Sequence, residues 1–586
     1  MELEDLIDAA LGNKKADIII KNGKLINVFT KEVYKSDISI YKDKVVSTGD
    51  SSKYKGPNTR EINGEGLFLS PGFIDGHLHF EVSKLSFTML SKLLVPHGTT
   101  SIVSGVDETY SVLGEDGVYS TISESAASPL RLFFAIPSKL PYTIPSSTLN
   151  HTVNYEVVRR QLPMEHTYGL WETITEFITN KDVDQLKALS MAKRLHKHAF
   201  GCLPLARNNI LNAATAAGVR LDHESYSPDE MREKVRNGLY VMIRESTVTH
   251  FLDKNIKIIT EYGIPSSRVG FCTDDVMSYD VLRRGHLDNV IRMAIMAGVP
   301  PIEAYQMATI NTAAMYMVDD EIGIIAPGRY ADIVLLTDME KVAIKGVISH
   351  GSIVTWDGRF LTEVVPPKRE AWMLNTFNVK RMIEPSFIKV PAPAERQAMA
   401  LAIKVSDENP FKRPSVRLLT KVSDGEAMAD PSQDLLYVTI VERHKGTGLV
   451  ASAFVTGFGL KEGAMASSTA PDDNNIVAVG TNKADIALAV NSLIDMKGGQ
   501  VVTRGGSIEM KLPLPIGGII ADMEPAEMAK QELAVDELLR RMGSGLTSPM
   551  STMIFLPVTA IPDYAMTDKG LVDCVGLKIV PPIEKA

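Results

Sequence analysis

The sequence predicts an α/β protein built around a (β/α)8 barrel of the TIM type. Eight strand-like apolar runs alternate with amphipathic helical patterns in the central part of the chain, and this regular alternation is typical of parallel barrels. The chain has 586 residues, more than the roughly 250–300 at which a single core stops growing, so further structural units are expected. With 45% hydrophobic and 23% charged residues, its composition is that of an ordinary globular protein.

The first predicted unit is a small β-domain assembled from two separate segments. Residues 17–49 read as short alternating strands with turns between them, and the same pattern returns between residues 328 and 358. Because these segments flank the central part of the chain, we expect residues 1–70 and 325–375 to form one composite domain.

The barrel is predicted over residues 71–324. One of its helical patterns, residues 227–238, carries its own signals, because Ser227 can cap the helix, Pro228 suits the first helical position and Gly238 ends it. The eight predicted strands are residues 73–80, 99–104, 131–138, 167–172, 196–200, 219–224, 239–245 and 269–274.

A third unit, an α+β domain, is predicted over residues 376–586. Prolines cluster in residues 384–395, which read as a linker. Beyond them, strand patterns and glycine-rich turns alternate with two helical patterns, residues 484–496 and 524–542.

Charge and cysteine content exclude several classes of protein. The formal net charge of −9 and a pI near 5.8 argue against a nucleic-acid binder. Three cysteines cannot form a disulfide framework, which favours a reducing compartment and therefore the cytoplasm. Neither an export signal nor an apolar run of about 18 residues is apparent, so no membrane association is expected.

Reactive side chains recur at the predicted strand ends, where a barrel of this type has its active site. His77 and His79 are two residues apart on the first strand, so both side chains are expected on one face. Further candidates follow on other strands: Glu172 at the end of the fourth, His198 in the fifth, His223 at the end of the sixth and Asp274 at the end of the eighth.

Six ligands of this kind suit two divalent ions that share a bridging carboxylate and a water molecule of lowered pKa. His, Glu and Asp fit Zn, Mn or Fe, and the spacing does not choose among these metals. Asp274 is the expected proton acceptor, because a carboxylate that contacts both metal and water can take the proton as hydroxide attacks. The predicted chemistry is hydrolysis at an sp² carbon.

Several motifs resemble the amidohydrolase superfamily, namely PGFIDGHLHFE, HGTTSIV, FCTDD and GIIAPGRYADIVLLTD. Within this superfamily the chain is most similar to the adenine deaminase family, on segments such as KHAFG, AAGVRLDHES and VTGFGLKEGAMASS. The similarity covers nearly the whole chain, and its C-terminal part distinguishes this family from other amidohydrolases.

The resemblance implies hydrolytic deamination of adenine to hypoxanthine and ammonia by a metal-activated hydroxide, a step of purine salvage or catabolism. It implies a binuclear divalent-metal site, with Mn or Fe favoured and Zn compatible, held by His77, His79, Glu172, His198, His223 and Asp274. Asp274 and Glu224 are then catalytic candidates, and Glu81 and Arg244 are candidates for substrate binding. The expected partner is a small molecule, adenine or a related heterocycle, and a homo-oligomer is compatible with the resemblance.

The chain departs from the family pattern at several places. It reads Val-Asp-Glu at residues 106–108 instead of Pro-His-Glu, and Pro-Asp-Asp-Asn at residues 471–474 instead of His-Asp-Ser-His. Trp171 replaces a small glycine beside the bridging position, and Phe200 and Cys202 differ from the family beside His198.

These departures keep two alternatives open. One is an amidohydrolase that acts on another aminopurine or a cyclic amide, and the other is a catalytically silent member of the family. Relatives that open rings commonly bridge their metals with a carboxylated lysine, whereas this chain has Glu172 at that position, which favours deamination.

Overall fold

The structure, a computed structural model, describes residues 1–393, 396–408 and 412–584. Helix α1 (Leu3–Ala10) precedes five strands of the first unit. Apolar residues of these strands, among them Ile38 and Ile40, are wholly buried and form the core of this unit. The strands are β1 (Ile18–Asn27), β2 (Glu32–Tyr41), β3 (Lys44–Thr48), β4 (Arg60–Asn63) and β5 (Phe68–Pro71).

Eight parallel strands then form the barrel. Each pairs with the next in chain order, and the first and last are joined because Asp274 N donates to His77 O at 2.8 Å and His79 N donates to Asp274 O at 3.1 Å. The predicted eight-stranded barrel is therefore confirmed. Its strands are β6 (Phe73–Asp75), β7 (Thr99–Ser104), β8 (Arg131–Pro137), β9 (Thr167–Ile174), β10 (His198–Cys202), β11 (Val219–Asp222), β12 (Tyr240–Arg244) and β13 (Val269–Cys272).

Helices connect the barrel strands. The predicted cap at Ser227 is confirmed, because its Oγ accepts a hydrogen bond from Glu230 N at 3.3 Å. The helices are α2 (Phe87–Leu94), α3 (Asp107–Ala126), α4 (Tyr155–Gln161), α5 (Thr175–Thr179), α6 (Val183–Arg194), α7 (Asn208–Ala216), α8 (Pro228–Arg236), α9 (Leu252–Asn255), α10 (Lys257–Thr260), α11 (Ser278–Arg284), α12 (Leu287–Met296), α13 (Pro301–Met307) and α14 (Ile310–Tyr316).

After the barrel the chain returns to the first sheet. The added strands are β14 (Ile333–Asp338), β15 (Ala343–Ser349), β16 (Ser352–Trp356) and β17 (Arg359–Phe360). β14 pairs antiparallel with β5, so segments from both sides of the barrel share one nine-stranded sheet. The domain boundaries themselves stay a prediction.

The third unit consists mainly of sheet, so the predicted α+β organisation is only partly confirmed. Of the predicted linker, residues 394 and 395 lie outside the described residues. The strands are β18 (Gln397–Lys404), β19 (Ser415–Ser423), β20 (Glu426–Ala427), β21 (Leu436–Val441), β22 (Val450–Thr456), β23 (Ala464–Ser467), β24 (Ile476–Gly480), β25 (Gly499–Arg504), β26 (Ser507–Pro513), β27 (Tyr564–Thr567), β28 (Gly570–Asp573) and β29 (Lys578–Val580). The helices are α15 (Lys483–Met496), α16 (Pro525–Arg541) and α17 (Pro549–Ile554).

The third unit packs against the barrel near its mouth. Ala521 N donates to Lys84 O at 2.9 Å, and Ser86 N donates to Ala521 O at 3.0 Å. Leu514 and Ile519 belong to the same buried cluster as barrel residues such as Leu78. Among the described residues, no helix combines the length and the apolar character needed to cross a bilayer.

Candidate metal centre

His77 and His79 lie side by side at the mouth of the barrel, directly after β6. Their Nε2 atoms are 3.2 Å apart. Asp75 Oδ1 accepts a hydrogen bond from His77 N at 3.2 Å, and His79 Nδ1 lies 3.3 Å from Asp107 Oδ1. Asp75 therefore helps to orient the backbone of this segment, and Asp107 helps to orient the His79 ring.

Two carboxylates face these histidines. Glu172 Oε1 lies 3.2 Å from His77 Nε2 and 3.4 Å from His79 Nε2, and it lies 3.6 Å from His223 Nε2. Asp274 Oδ1 lies 4.0 Å from His77 Nε2 and 3.7 Å from His79 Nε2. The backbone φ angles of Glu172 and Asp274 are +41° and +59°, a region that costs a residue with a side chain about 1–3 kcal/mol. Such strain is common where side chains are held for function.

The spacing of these donor atoms fits bound divalent ions. Ligands about 2.1 Å from a tetrahedral ion lie about 3.4 Å from one another. The distances above run from 3.2 to 4.0 Å, and the side chains of His77, Glu172, His223 and Asp274 are all buried. Imidazole nitrogens together with carboxylate oxygens form a donor set that suits Zn, Mn or Fe.

The structure does not place His198 in this group. His198 is the first residue of β10, at the end of the barrel opposite the mouth, and its Nε2 contacts Met317 Sδ at 2.8 Å. There it lines a surface groove with residues such as Arg220 and Arg268. The prediction of His198 as a ligand is therefore corrected, because only the C-terminal end of a barrel strand reaches the mouth.

Cys202, the last residue of β10, occupies the place expected for His198. Its Sγ, a carboxylate oxygen of Glu172 and a ring nitrogen of His223 all lie within 4.8 Å of one another. Sequence reasoning missed Cys202 because the fifth strand was predicted to end at residue 200. Since residues 198, 200 and 202 share one face of a strand, extending it by two residues would have found the thiol.

Arg244 and Glu224 lie beside the donors, as the resemblance implied. Arg244 Nη1 donates to Glu224 Oε1 and Asp274 Oδ2, and Nη2 donates to Thr249 Oγ1 at 3.2 Å. Glu224 Oε2 has no hydrogen-bond partner among the described residues. Both Arg244 and Glu224 line the cavity at the mouth.

Glu81 does not reach that cavity. Its side chain is fully buried, and its Oε1 accepts a hydrogen bond from Thr109 N, at the first turn of α3, at 3.0 Å. The predicted substrate contact of Glu81 is corrected accordingly, because a carboxylate that caps a helix behind the donors cannot touch a ligand in the cavity.

Burial and neighbouring charges set the protonation of the site. Burial, reinforced by His223, lowers the pKa of His77 to about 4. Burial opposes the charged form of Asp274, but Arg244 and His77 outweigh it and hold the pKa of Asp274 below its ordinary range. Burial raises the pKa of Glu224, and Arg244 offsets only part of that effect. At neutral pH, His77 thus offers a lone pair and Asp274 a charge, the states that metal binding requires. Burial lowers the pKa of His79, but Asp107 and Glu172 outweigh it and raise that pKa, so this ring would release a proton on binding a metal.

The cavity above the donors has walls from two units. The barrel contributes residues such as Glu108 and Tyr142, and the third unit contributes Arg413, Asp472 and Phe555. The two walls are linked, because Asn474 Nδ2 donates to Glu108 Oε2. Tyr142, Arg413 and Phe555 carry no motif by which the sequence alone could have indicated them.

A closed (β/α)8 barrel with imidazoles and carboxylates gathered at its mouth defines a divalent-metal-dependent hydrolase. Residues 178–354 match the amidohydrolase family, and residues 414–578 match the adenine deaminase C-terminal domain. Adenine deaminase 4 of Rhizobium meliloti (strain 1021) is 44% identical over 99% of this chain and 97% of that protein.

Two further relatives agree with this assignment. Adenine deaminase 1 of Latilactobacillus sakei subsp. sakei (strain 23K) is 44% identical over 99% of this chain and 98% of that protein. Adenine deaminase of Moorella thermoacetica (strain ATCC 39073 / JCM 9320) is 35% identical over 98% of this chain and 97% of that protein. The chain belongs to the adenine deaminase family.

Proposed function

We propose that this protein hydrolyses adenine to hypoxanthine and ammonia. The observation that carries the proposal is the 44% identity to proteins named adenine deaminase, which runs through 99% of the chain and so includes both walls of the cavity. In the reaction, a carbon–oxygen bond forms at C6 of the purine, the bond from C6 to the exocyclic nitrogen breaks, and that nitrogen leaves as ammonia.

We assign the metal ligands from the contacts at the barrel mouth. His77, His79, Glu172 and Asp274 would hold one divalent ion, and Glu172 together with His223 would face a second. When bound, such ions supply a nucleophile at neutral pH by lowering the pKa of water. The family resemblance favours Mn or Fe.

Three side chains of this site would handle protons and charge. Asp274 would take the proton of the attacking water, because its Oδ1 faces the histidines and its charged form is favoured. Glu224 would carry a proton to the substrate ring, since burial favours its neutral form. Arg244 would hold both carboxylates in position through its two hydrogen bonds.

A second candidate function is deamination of a different aminated heterocycle. Asp107, Pro471 and Asn474 stand where the family pattern has histidines, and Pro471 lies in the cavity wall beside Glu108 and Asp472. A wall that keeps these carboxylates without the histidines favours a more basic or more hydrogen-bond-donating ring. A catalytically silent relative is disfavoured, because five of the six predicted ligands come together and Cys202 occupies the place of the sixth.

Three further expectations stay proposals. They are the division into domains at residues 1–70 with 325–375, 71–324 and 376–586, a cytoplasmic location, and self-association. The cytoplasmic location is supported by three cysteines that are all buried and unpaired.

The test is ammonia release from adenine by protein reconstituted with Mn²⁺, Fe²⁺ or Zn²⁺. His77→Ala should lower kcat/KM for adenine by about 100-fold or more, because it removes a proposed metal ligand and so weakens stabilisation of the charge that develops in the transition state. His198→Ala is the matched control, and its rate should stay within about twofold of the wild type because the side chain lies away from the mouth.

Two results would contradict the proposal. One is wild-type turnover by His77→Ala with unchanged circular dichroism. The other is release of ammonia from another aminopurine, a pterin or cytosine but not from adenine, which would favour the second candidate function.

A further inference from the structure

The order of the barrel strands fixes the position of Cys202 between two proposed metal ligands. β10 lies between β9 and β11 in the sheet. Cys202 pairs with Ile174 of β9, two residues beyond Glu172, and Gly201 pairs with Asp222 of β11, which immediately precedes His223. Since neighbouring strands are about 4.8 Å apart, the side chain at this strand end must lie between the other two.

The three side chains Glu172, Cys202 and His223 offer the donor atoms of a three-ligand metal site. The Cys202 thiol is 7% exposed and unpaired, and its sulfur lies within 4.8 Å of donor atoms of Glu172 and His223. Zinc accepts a cysteine sulfur, a histidine nitrogen and a glutamate oxygen together, with a fourth position left open for water or substrate. Among the described residues, Cys202 is the one thiol in the groups of donor atoms close enough to share an ion.

We propose that Cys202 binds the second metal ion as a thiolate and that this position therefore favours zinc over manganese. The inference rests on the metal centre of the proposed function. On binding, the S–H bond breaks, a sulfur–metal bond forms, and the proton passes to solvent. A thiolate selects softer ions than carboxylate and imidazole donors do, so the two metal positions of this protein should differ in the ion they prefer.

A structural role for Cys202 is the competing explanation. A buried cysteine commonly acts as a small apolar residue, and Cys202 also belongs to the large hydrophobic cluster of the barrel. Packing alone requires no contact between sulfur and metal, so the two explanations predict different spectra.

The experiment is X-ray absorption at the zinc edge on the full-length protein loaded with Zn²⁺. The wild type should show a sulfur shell at about 2.3 Å. Cys202→Ser should lack that shell, and Cys574→Ser should keep it, because Cys574 is a buried cysteine in the turn between β28 and β29 of the third unit and belongs to none of the donor groups. The X-ray absorption spectrum does not depend on turnover of any substrate.

A competition between Zn²⁺ and Mn²⁺, followed by metal analysis, gives an independent measurement. Cys202→His restores an imidazole at this position and should lower the ratio of bound zinc to bound manganese by about 10-fold or more relative to the wild type. This variant also keeps the inference testable if Cys202→Ser fails to fold.

Three results would overturn the inference. They are a wild-type zinc spectrum with only nitrogen and oxygen neighbours, a sulfur shell that persists in Cys202→Ser, and an unchanged metal ratio in Cys202→His. If the sulfur shell is present and adenine is not hydrolysed, the thiolate ligand stands and only the proposed substrate fails.

Discussion

Trp171 packs directly on His77, one of the proposed metal ligands. Its ring stacks on His77 with centroids 4.0 Å apart and an interplanar angle of 11°, and His77 in turn stacks on His223 at 3.6 Å. Trp171 is fully buried. The tryptophan that departs from the family pattern therefore fixes the plane of the His77 ring and, through it, the plane of the His223 ring.

This stack depends on a glycine. A Cβ atom at Gly105 would lie 2.1 Å from Trp171 Cδ1, closer than any two such atoms can approach. Gly105→Ala should therefore tilt the tryptophan, lower the free energy of unfolding by about 1–3 kcal/mol and weaken metal binding. Thermal unfolding with and without added Zn²⁺ measures both effects.

Gly545→Ala is the matched control, because a Cβ atom there meets nothing within 4 Å. Its unfolding temperature and metal affinity should remain those of the wild type. Equal behaviour of the two variants would mean that the Trp171 stack does not support the site.

At the scale of elements, the segment after β6 is tied to helix α16 of the third unit. Lys84 Nζ donates to Glu532 Oε1 at 2.7 Å, with side chains only 3% and 4% exposed. Glu532 Oε2 also accepts a hydrogen bond from Tyr279 N at 3.1 Å. A buried ion pair thus connects the histidine-bearing segment to the third unit.

Removing one partner of this pair should be costly. Lys84→Met leaves the Glu532 carboxylate buried without its counterion, and we expect a loss of about 3–5 kcal/mol in the free energy of unfolding. Lys84→Met combined with Glu532→Gln should recover most of that loss, because the amide oxygen can still accept from Tyr279 N. Chemical denaturation of both variants measures the difference.

Lys92→Met provides a comparison at the same interface. Lys92 and Glu524 form an ion pair at 2.6 Å, but their side chains are 23% and 64% exposed, so its loss should cost only about 0–1 kcal/mol. Similar losses for Lys84→Met and Lys92→Met would show that the buried pair contributes no more than a surface one.

Prediction from sequence succeeded for elements whose pattern is local. All eight barrel strands were found, because buried parallel strands read as continuous apolar runs. The prediction that His198 lies at the mouth was wrong, because an apolar run shows that a strand is present but does not mark its ends to within two residues. Because the predicted fifth strand ended two residues too early, His198 was chosen as the ligand on β10 instead of Cys202.

At the scale of the whole molecule, the third unit is part of the barrel's core. Leu512, Leu514, Ile516 and Ile519 are buried in one cluster with Leu78 of the barrel. The same unit also supplies Arg413 and Asp472 to the wall of the cavity. The barrel is therefore incomplete without it, both in its packing and in the wall of the cavity at its mouth.

A chain truncated after residue 375 tests this dependence. It would expose the apolar surface that those side chains cover, and exposed patches of that kind lead to aggregation. We expect the truncated protein to elute as large aggregates in size-exclusion chromatography with light scattering, under conditions in which the full chain does not. A monodisperse truncated barrel that binds metal would contradict the expectation.

The barrel, the composite sheet and five of the side chains at the mouth follow from the sequence alone, because apolar runs and the alternation of strand and helix patterns are local properties of the chain. The tertiary structure was needed to show that Cys202 lies beside Glu172 and His223, that Glu81 accepts a hydrogen bond at the start of a helix, and that Arg413 and Asp472 line the cavity. These placements depend on strand register and on contacts between residues hundreds of positions apart, and no local pattern encodes either of them.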